Sequence, residues 1–159
     1  MLATVVSNAF DGPGWVFELK YDGFRVLAIR QGDDVRLLSG RRNDLAACFP
    51  EVLECLRELP DIVLDGELVV LDDQGKPQFE RLRRRALLKK FTSVEHAAGS
   101  DPAVVFAFDI LSLRGKDLRK LRLKRKAIVQ EALQAAQRIR PQALTFPTAR
   151  TKRHLQVSP

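Results

Sequence analysis

The chain contains 159 residues, of which 45% are hydrophobic and 30% are charged. This length and composition are typical of one globular domain with its own core, which excludes an intrinsically disordered chain. The sequence has neither an 18-residue apolar run nor the pattern of a secretory signal, so we expect a soluble protein without a membrane span, located in the cytoplasm.

The positive charge is concentrated in two runs of sequence. The chain carries 27 Lys and Arg against 20 Asp and Glu, for a formal charge of +7. The runs 81–90 and 114–126 together hold 14 of the 27 basic residues. Such density indicates either a polyanionic partner, bound through phosphate contacts, or a solvated basic helix face.

The order of apolar and polar residues predicts strands with helices between them. Alternating or continuous apolar stretches predict strands over 15–20, 24–30, 35–39, 62–71 and 103–111. Capping residues and helical spacing predict helices from Asn43 or Asp44 to about Glu58, with Pro50 as a point of interruption, from about Gln78 to Lys90, around 93–99, and over 123–139. Because the strands and helices do not alternate regularly, the sequence predicts an α+β fold. Residues 140–159 have little periodicity and predict an irregular basic tail.

The first place where charge interrupts a predicted strand pattern is the segment 18–25, ELKYDGFR. Lys20 ends a strand, Asp22 begins an Asp-Gly turn, and Arg25 follows. The segment therefore contains a potential nucleophile, a carboxylate and a guanidinium that could bind phosphate. On spacing alone, a hairpin with surface charges is the alternative.

The second place is the predicted strand 62–71. Strand alternation puts Asp65 and Glu67 on one face with Val63, Val69 and Leu71. Carboxylates within an apolar strand are costly unless they bind a cation, a sugar hydroxyl or a backbone donor. We therefore favour a functional site here, with a structural ion pair as the alternative.

The third place is the predicted strand 103–111. Alternation puts Phe106 and Phe108 on one face with Val104 and Ile110, and directs Asp109 to the other. Phenylalanines at this spacing are more often core residues than a base-stacking surface.

Taken in order, the three segments resemble the motifs of ATP-dependent DNA ligases, especially the bacterial end-joining type. ELKYDGFR resembles the adenylation motif K-x-D-G-x-R, LDGELV the third motif, and FAFDIL the aromatic-acidic motif that follows. The resemblance implies a nucleotidyltransferase domain of two antiparallel sheets with flanking helices and a nucleotide in the cleft between them. It also implies ATP and Mg²⁺ as cofactors.

The resemblance implies a role for each matching residue. Lys20 would take AMP from ATP as a lysyl phosphoramidate. Arg25 and Glu67 would contact the ribose or the nick, with Glu67 also a metal ligand, and Phe108 would stack on adenine. Glu18 would lie beside the base, and Asp22 would hold the turn.

Nicked duplex DNA is the macromolecular partner that the resemblance implies. Neither basic run has aromatic residues among its basic ones, which favours contact with duplex phosphates. The expected DNA contacts are Arg83, Arg84, Arg85, Lys89, Lys90, Arg119, Lys120 and Arg122.

The sequence departs from the family pattern in two ways. The arginine expected directly after Ser39 is displaced by at least one position, since the chain reads Ser39-Gly40-Arg41-Arg42. Residues 131–159 contain neither the family's E-G motif nor its K-x-K motif. We therefore expect residues 1–139 to form a partial adenylation domain, truncated, with weak or no activity. An incomplete sheet would have an unpaired edge, and the sequence leaves open whether a partner chain, the tail or nothing covers that edge.

Two other functions remain open from the sequence. The first is a non-catalytic nucleic-acid-binding fragment that uses its basic clusters without processing ATP. The second is an RNA ligase or capping-type enzyme, since these relatives share the K-x-D-G lysine.

Overall fold

A computed structural model describes residues 21–121 and 143–145 as one mixed sheet flanked by helices. The strands are β1 (Phe24–Gln31), β2 (Asp34–Ser39), β3 (Ile62–Val70), β4 (Ala103–Leu113), β5 (Lys116–Asp117) and β6 (Leu144–Thr145). The helices are α1 (Pro50–Arg57), α2 (Phe79–Ala86) and α3 (Phe91–Ser100), with a 3₁₀ turn at Ala46–Cys48. The predicted strand 15–20 and helix 123–139 lie outside the described residues.

The three long strands lie side by side in the centre of the sheet. The strand order is β2-β1-β3-β4-β5, and all of these neighbours are antiparallel. Strand β6 pairs with β4 in the parallel direction. The α+β fold is therefore confirmed. The described residues form one sheet, and the second sheet that the resemblance implies is not among them.

One face of the sheet carries the hydrophobic core. Alternate residues of β1 and β3, including Val26, Ala28, Leu64 and Leu68, are almost completely buried. They belong to one cluster with Phe49, Val52 and Leu56 of the α1 region and Leu82 of α2. This is the alternation expected for strands with one face on a core. The residues between them point to the opposite face, where the site described below lies.

Two predicted helices are shorter than the sequence indicates. The helix predicted from Asn43 or Asp44 is preceded by the 3₁₀ turn, where Asp44 accepts a hydrogen bond from the Ala46 N–H at 2.8 Å. Pro50 then occupies the first turn of α1, a position that needs no donor. The helix predicted from Gln78 to Lys90 ends at Ala86, and a second helix begins at Phe91.

The segment predicted as an irregular tail contributes a strand to the sheet. Leu144 pairs with Val105 and Thr145 with Phe106, and the side chains of Ala143 and Leu144 are buried in the core. The prediction of irregular backbone is therefore wrong at these residues, because apolar contacts with β4 stabilise them. Within the described residues, β6 and β5 pair with the outer edge of β4 only near its two ends.

No helix among residues 21–121 and 143–145 is long and apolar enough to cross a membrane.

Candidate active site

The charged residues of the three motifs meet on the face of the sheet opposite the core. Arg25 of β1 is aligned with Glu67 of β3, and Glu67 is aligned with Phe106 of β4. Asp65, two residues before Glu67, is aligned with Asp109. Because aligned residues of antiparallel strands share a face, three strands bring a cation, carboxylates and an aromatic ring together. The predicted shared face of Asp65 and Glu67 is confirmed.

A β-bulge at Phe108 changes the orientation of the residues that follow it. Gly66 is aligned with Ala107 and Asp65 with Asp109, so Phe108 is an extra residue on β4. Strand alternation predicts Ile110 on the face of the phenylalanines and Asp109 on the other. That prediction is wrong, because Ile110 is fully buried in the core and Asp109 is aligned with Asp65.

Arg25 holds Asp65 and Phe108 together. Its Nε donates to Asp65 Oδ1 at 2.5 Å and its Nη2 donates to Oδ2 at 2.7 Å, a bidentate pair. The guanidinium carbon lies 4.1 Å from the centre of the Phe108 ring, within cation–π range. The hydrogen bond to Asp65 is the main reason that the pKa of Arg25 is raised, and the charges of Glu67 and Asp109 add to it.

Glu67 lies in a less solvated position than an ordinary surface carboxylate. Its partial burial is the main reason that its pKa is raised, and the charges of Asp22 and Asp65 act in the same direction. The charge of Arg25 and a hydrogen bond from the Gly23 N–H oppose this rise. Glu67 is therefore a partly desolvated carboxylate that lies beside the Gly23 backbone and the Arg25 guanidinium.

Two motif glycines allow the backbone to approach the sheet closely. A Cβ on Gly23 would lie 2.2 Å from the Leu68 carbonyl oxygen, and a Cβ on Gly66 would lie 2.6 Å from that of Phe106. Neither position has room for a side chain. Gly23 thus lets the segment that follows Lys20 lie against β3, and Gly66 lets β3 and β4 pair closely beside the bulge.

Tyr21 is a residue that sequence reasoning misses, although it lies between the motif lysine and Asp22. Its ring stacks on Phe106 with centroids 4.0 Å apart and an interplanar angle of 10°. Burial raises the pKa of the Tyr21 hydroxyl. The stack fixes the residue that directly follows Lys20 against β4. An aromatic residue inside the K-x-D-G segment is the signal that could have identified it.

The turn after β2 lies beside Arg25. The Gly40 N–H donates to the Arg25 carbonyl oxygen at 2.9 Å, and Arg42 has a positive φ of 63°. Arg41 and Arg42 are both exposed. The displaced arginine pair therefore belongs to a turn that is bonded to the strand carrying Arg25.

Three predicted site residues, Glu18, Lys20 and Arg122, lie outside the described residues. Asp22 is described and exposed, and its negative charge acts on Glu67, which lies on the neighbouring strand. Its expected role in holding the turn stays a prediction. No group of three or more His, Cys, Asp or Glu within the described ranges could hold a metal ion by itself.

The predicted DNA contacts separate into exposed and buried residues. Arg83, Arg84, Lys89 and Lys90 are exposed at the end of α2 and after it, and Arg119 and Lys120 are exposed after β5. Arg119 forms an ion pair with Asp117 at 2.7 Å, which lowers the pKa of that carboxyl.

Arg85 does not belong to this surface, and its predicted contact with DNA is wrong. Only 3% of its side chain is exposed, where it forms an ion pair with Glu51 of α1. It also donates to the carbonyl oxygens of Cys48 and Asp101, each at 2.9 Å, and its guanidinium lies 4.8 Å from the Phe49 ring centre. Arg85 is a core residue that joins α1, α2 and the start of β4.

Comparison with known proteins agrees with this geometry. Residues 1–157 match the family model described as the ATP dependent DNA ligase domain. The chain is 33% identical over 145 residues to the bifunctional non-homologous end joining protein LigD of Bacillus subtilis, covering 86% of this chain and 24% of that protein. It is 37% identical over 138 residues to DNA ligase C1 of Mycolicibacterium smegmatis, covering 82% of this chain and 39% of that protein.

The solved structures give the same result for the fold. The ligase domain of LigD from M. tuberculosis superposes with a TM-score of 0.63 at 30% identity, covering 82% of this chain and 39% of that one. A mycobacterial DNA ligase D complexed with ATP and MES superposes with a TM-score of 0.60 at 29% identity, covering 82% and 38%. The chain thus spans less than half the length of each of these relatives. The chain belongs to the ATP-dependent DNA ligase domain family.

Proposed function

We propose that this chain carries the adenylation chemistry of an ATP-dependent DNA ligase. The Lys20 amine attacks the α-phosphorus of ATP, a phosphorus–nitrogen bond forms, pyrophosphate leaves, and the amine proton passes to solvent. A DNA 5′-phosphate oxygen then displaces Lys20 from the AMP phosphorus. The 3′-hydroxyl at the nick finally attacks the activated 5′-phosphate, which joins the strand and releases AMP.

The observation that carries this proposal is the convergence of the three motifs on one face of the sheet. Arg25, Glu67 and Phe108 come from three neighbouring strands, and the segment after Lys20 is held to two of them. Tyr21 stacks on Phe106, and the Gly23 N–H donates to Glu67. Phosphoryl transfer depends mainly on positioning and electrostatic stabilisation, which such a constellation supplies.

Each side chain on this face has a role that its contacts support. Phe108 is restrained by the Arg25 guanidinium, so its ring is positioned to stack on adenine. Glu67 accepts a hydrogen bond from a ribose hydroxyl, next to the Gly23 N–H that also contacts this carboxylate. Arg25, already bonded to Asp65, acts mainly by positioning Phe108 and secondarily as a cation near the ribose or the nick.

Glu67 is the one protein ligand that we propose for Mg²⁺ on this face, in place of a preformed site with several protein ligands. Mg²⁺ keeps several waters and binds through one or two carboxylates together with substrate phosphates. A partly desolvated carboxylate such as Glu67 suits that arrangement, whereas Asp65 is committed to Arg25. When bound, the ion neutralises charge on the phosphates.

The DNA contacts that we propose are the exposed basic residues together with Arg122. They are Arg83, Arg84, Lys89, Lys90, Arg119, Lys120 and Arg122. Such contacts are electrostatic and independent of sequence. We also propose a cytoplasmic location, where ATP and DNA occur together.

We expect adenylation by these 159 residues to be slow compared with a complete ligase. Residues 131–159 lack the E-G and K-x-K motifs that grip the metal and the α-phosphate in the family. Each missing charge-assisted contact removes about 2–4 kcal/mol of transition-state stabilisation. Adenylation at the rate of a complete enzyme would show that other residues of this chain replace those motifs.

The test is covalent labelling of the protein. The chain is incubated with α-labelled ATP and Mg²⁺ and separated under denaturing conditions, with Lys20→Ala as the variant. We expect labelled wild type, unlabelled Lys20→Ala, and equal thermal stability for the two. Label on the variant would show that another residue accepts AMP. An unlabelled wild type that still binds DNA would support the non-catalytic alternative instead.

A further inference from the structure

Two large apolar side chains are exposed where α2 ends and α3 begins, Leu87 directly after α2 and Phe91 at the first position of α3. Leu87 is 72% exposed and Phe91 is 75% exposed, and they are the exposed large hydrophobics among the described residues. Single exposed apolar residues are common and need no explanation. These two differ because they occur within five residues of one another and lie among basic side chains.

Four cations flank them in the sequence and are exposed with them. They are Arg83, Arg84, Lys89 and Lys90. Arg83 forms an exposed ion pair with Glu80 at 3.2 Å. In the described part of the chain, no ion pair joins Arg84, Lys89 or Lys90 to a carboxylate. We call Arg83, Arg84, Leu87, Lys89, Lys90 and Phe91 the linker surface.

The backbone of the linker surface contacts the interior of the protein on its inner side. The Cys48 Sγ lies 3.6 Å from the carbonyl oxygens of both Ala86 and Leu88, so its single S–H is shared between these two acceptors. Val94, three residues after Phe91, is buried, and its N–H donates to the Lys90 carbonyl oxygen at 3.1 Å. The backbone on both sides of Leu87 and Phe91 is therefore fixed to the body of the protein. A surface fixed in this way loses little conformational entropy when it binds a ligand.

We propose that the linker surface binds unpaired nucleotides, with Phe91 stacking on a base and the cations contacting the flanking phosphates. The proposal rests on the proposed function in taking DNA as the polyanion. Duplex phosphates alone would explain the cations but not the apolar pair, since the bases of an intact duplex are stacked inside it. A strand with unpaired bases presents both phosphates and flat apolar faces, which matches both halves of this surface.

We favour a polynucleotide over an acidic peptide because an exposed aromatic residue directly follows two exposed lysines in the chain, and a polynucleotide offers a base beside each phosphate. Every base has a π-face, so stacking on Phe91 requires no particular sequence. The surface would thus retain DNA at gaps, overhangs or frayed ends, where bases are exposed. This adds a preference among DNA structures to the nonspecific duplex binding that the basic runs predict.

The test measures fluorescence anisotropy of a single-stranded oligonucleotide and of its intact duplex at several salt concentrations. Phe91→Ala should weaken single-strand binding about 10-fold and leave duplex binding nearly unchanged, since a base stack contributes about 1–3 kcal/mol. Its log–log salt slope should stay at the wild-type value, because the substitution leaves every cation in place. Phe91→Trp should retain the affinity.

A second pair of variants tests the cations. Lys89→Gln with Lys90→Gln should lower the salt slope by about 0.7 for each single-strand phosphate that these lysines neutralise. Lys76→Gln, which removes an exposed charge from the turn before α2, is the matched control and should leave the slope unchanged.

Three outcomes would overturn the proposal. The first is full single-strand affinity in Phe91→Ala. The second is full single-strand affinity in Phe91→Leu, which would show that apolar contact rather than ring stacking carries the binding. The third is a wild type that binds no single strands. Lys20 labelling is measured in parallel. A labelled protein with no dependence on Phe91 would remove this inference alone. An unlabelled protein whose binding depends on Phe91 would remove the proposed catalysis alone.

Discussion

Arg25 forms its ion pair with Asp65, although the residue aligned with it across the β1–β3 ladder is Glu67. Asp65 is aligned with Leu27 instead, so the pair is diagonal. The diagonal pairing gives the two carboxylates different surroundings. Asp65 is neutralised by a guanidinium, whereas Glu67 keeps a backbone hydrogen bond and a raised pKa. One strand thereby supplies a structural carboxylate, Asp65, and a second carboxylate without that ion pair, Glu67, which we propose for binding.

Asp65→Asn should reduce activity far more than stability. The substitution removes the bidentate pair and releases the guanidinium that lies against Phe108. Since 58% of the Arg25 side chain is exposed, the pair contributes only about 0.2–1 kcal/mol to folding. We expect the rate of Lys20 adenylation to fall about 10-fold or more, with the melting temperature almost unchanged. Arg25→Lys should give the same result, because an ammonium cannot replace the planar fork. An unchanged adenylation rate would show that Phe108 needs no restraint.

Gly66→Ala should destabilise the protein strongly, and Gly99→Ala should not. The added methyl at position 66 meets the Phe106 carbonyl oxygen at 2.6 Å, so β3 and β4 must separate beside the bulge. We expect a loss of about 1–3 kcal/mol, as for other overpacked sites. Gly99 lies in α3 with nothing within 4 Å of the added methyl, and alanine there stabilises a helix by up to about 1 kcal/mol. Chemical denaturation of both variants measures the difference. Equal stabilities would show that the strands adapt at the bulge without cost.

Glu67→Gln should change the pH dependence of stability. The pKa of Glu67 is raised by burial, so the folded state binds its proton more tightly than the unfolded state does. The stability linked to this proton is present below the ordinary glutamate pKa and is lost as pH rises through the raised value. Glutamine removes that loss and still accepts the Gly23 N–H bond.

The measurement is the melting temperature at several pH values from acid to neutral. Wild type should lose stability relative to Glu67→Gln as pH rises through this range. The variant should also adenylate more slowly, since the carboxylate proposed to bind Mg²⁺ is gone. A wild type that gains stability relative to the variant over the same range would show that the Arg25 attraction outweighs burial.

Local patterns are sufficient to predict most of the sheet and the shared face of Asp65 and Glu67, because strand alternation reports burial directly. The bulge at Phe108 is not predictable in this way. Residues 103–111 are apolar apart from Asp109, so nothing in their order marks an extra residue. The short strand at Leu144 escapes prediction for a related reason, since two residues carry no periodicity and their burial depends on β4.

Long-range partners explain the error at Arg85. In sequence it is one of three consecutive arginines, and the local feature that distinguishes it from Arg84 is its spacing of three residues from the apolar Leu82. Its partner Glu51 lies 34 positions earlier in the chain. The packing of α1 against α2 and the start of β4 supplies the buried carboxylate that Arg85 pairs with, and spacing along α2 does not reveal that partner. The helix break after Ala86 is likewise unmarked, because residues 87–90 contain neither glycine nor proline.

Arg85→Met should destabilise the protein strongly, whereas Arg84→Met should have little effect. Removing Arg85 leaves the Glu51 carboxylate largely buried, with the Ala103 N–H at 2.9 Å as a remaining donor, and removes donors from two carbonyl oxygens. Breaking one partner of a buried pair costs about 3–5 kcal/mol. Arg84 is exposed, so its replacement should change stability by less than about 0.5 kcal/mol.

The effects on DNA binding should be reversed, with a loss on replacing the exposed Arg84 and none on replacing the buried Arg85. Arg84→Met should reduce the salt slope for intact duplex by about 0.9 if Arg84 neutralises one phosphate. The double variant Arg85→Met with Glu51→Gln should recover part of the stability that Arg85→Met removes, because the unpaired charge is gone, and should bind duplex with the wild-type slope. Urea denaturation and anisotropy titration of wild type and these three variants measure both properties. A reduced slope in the folded double variant would return Arg85 to the DNA-binding surface and contradict its role as a core residue.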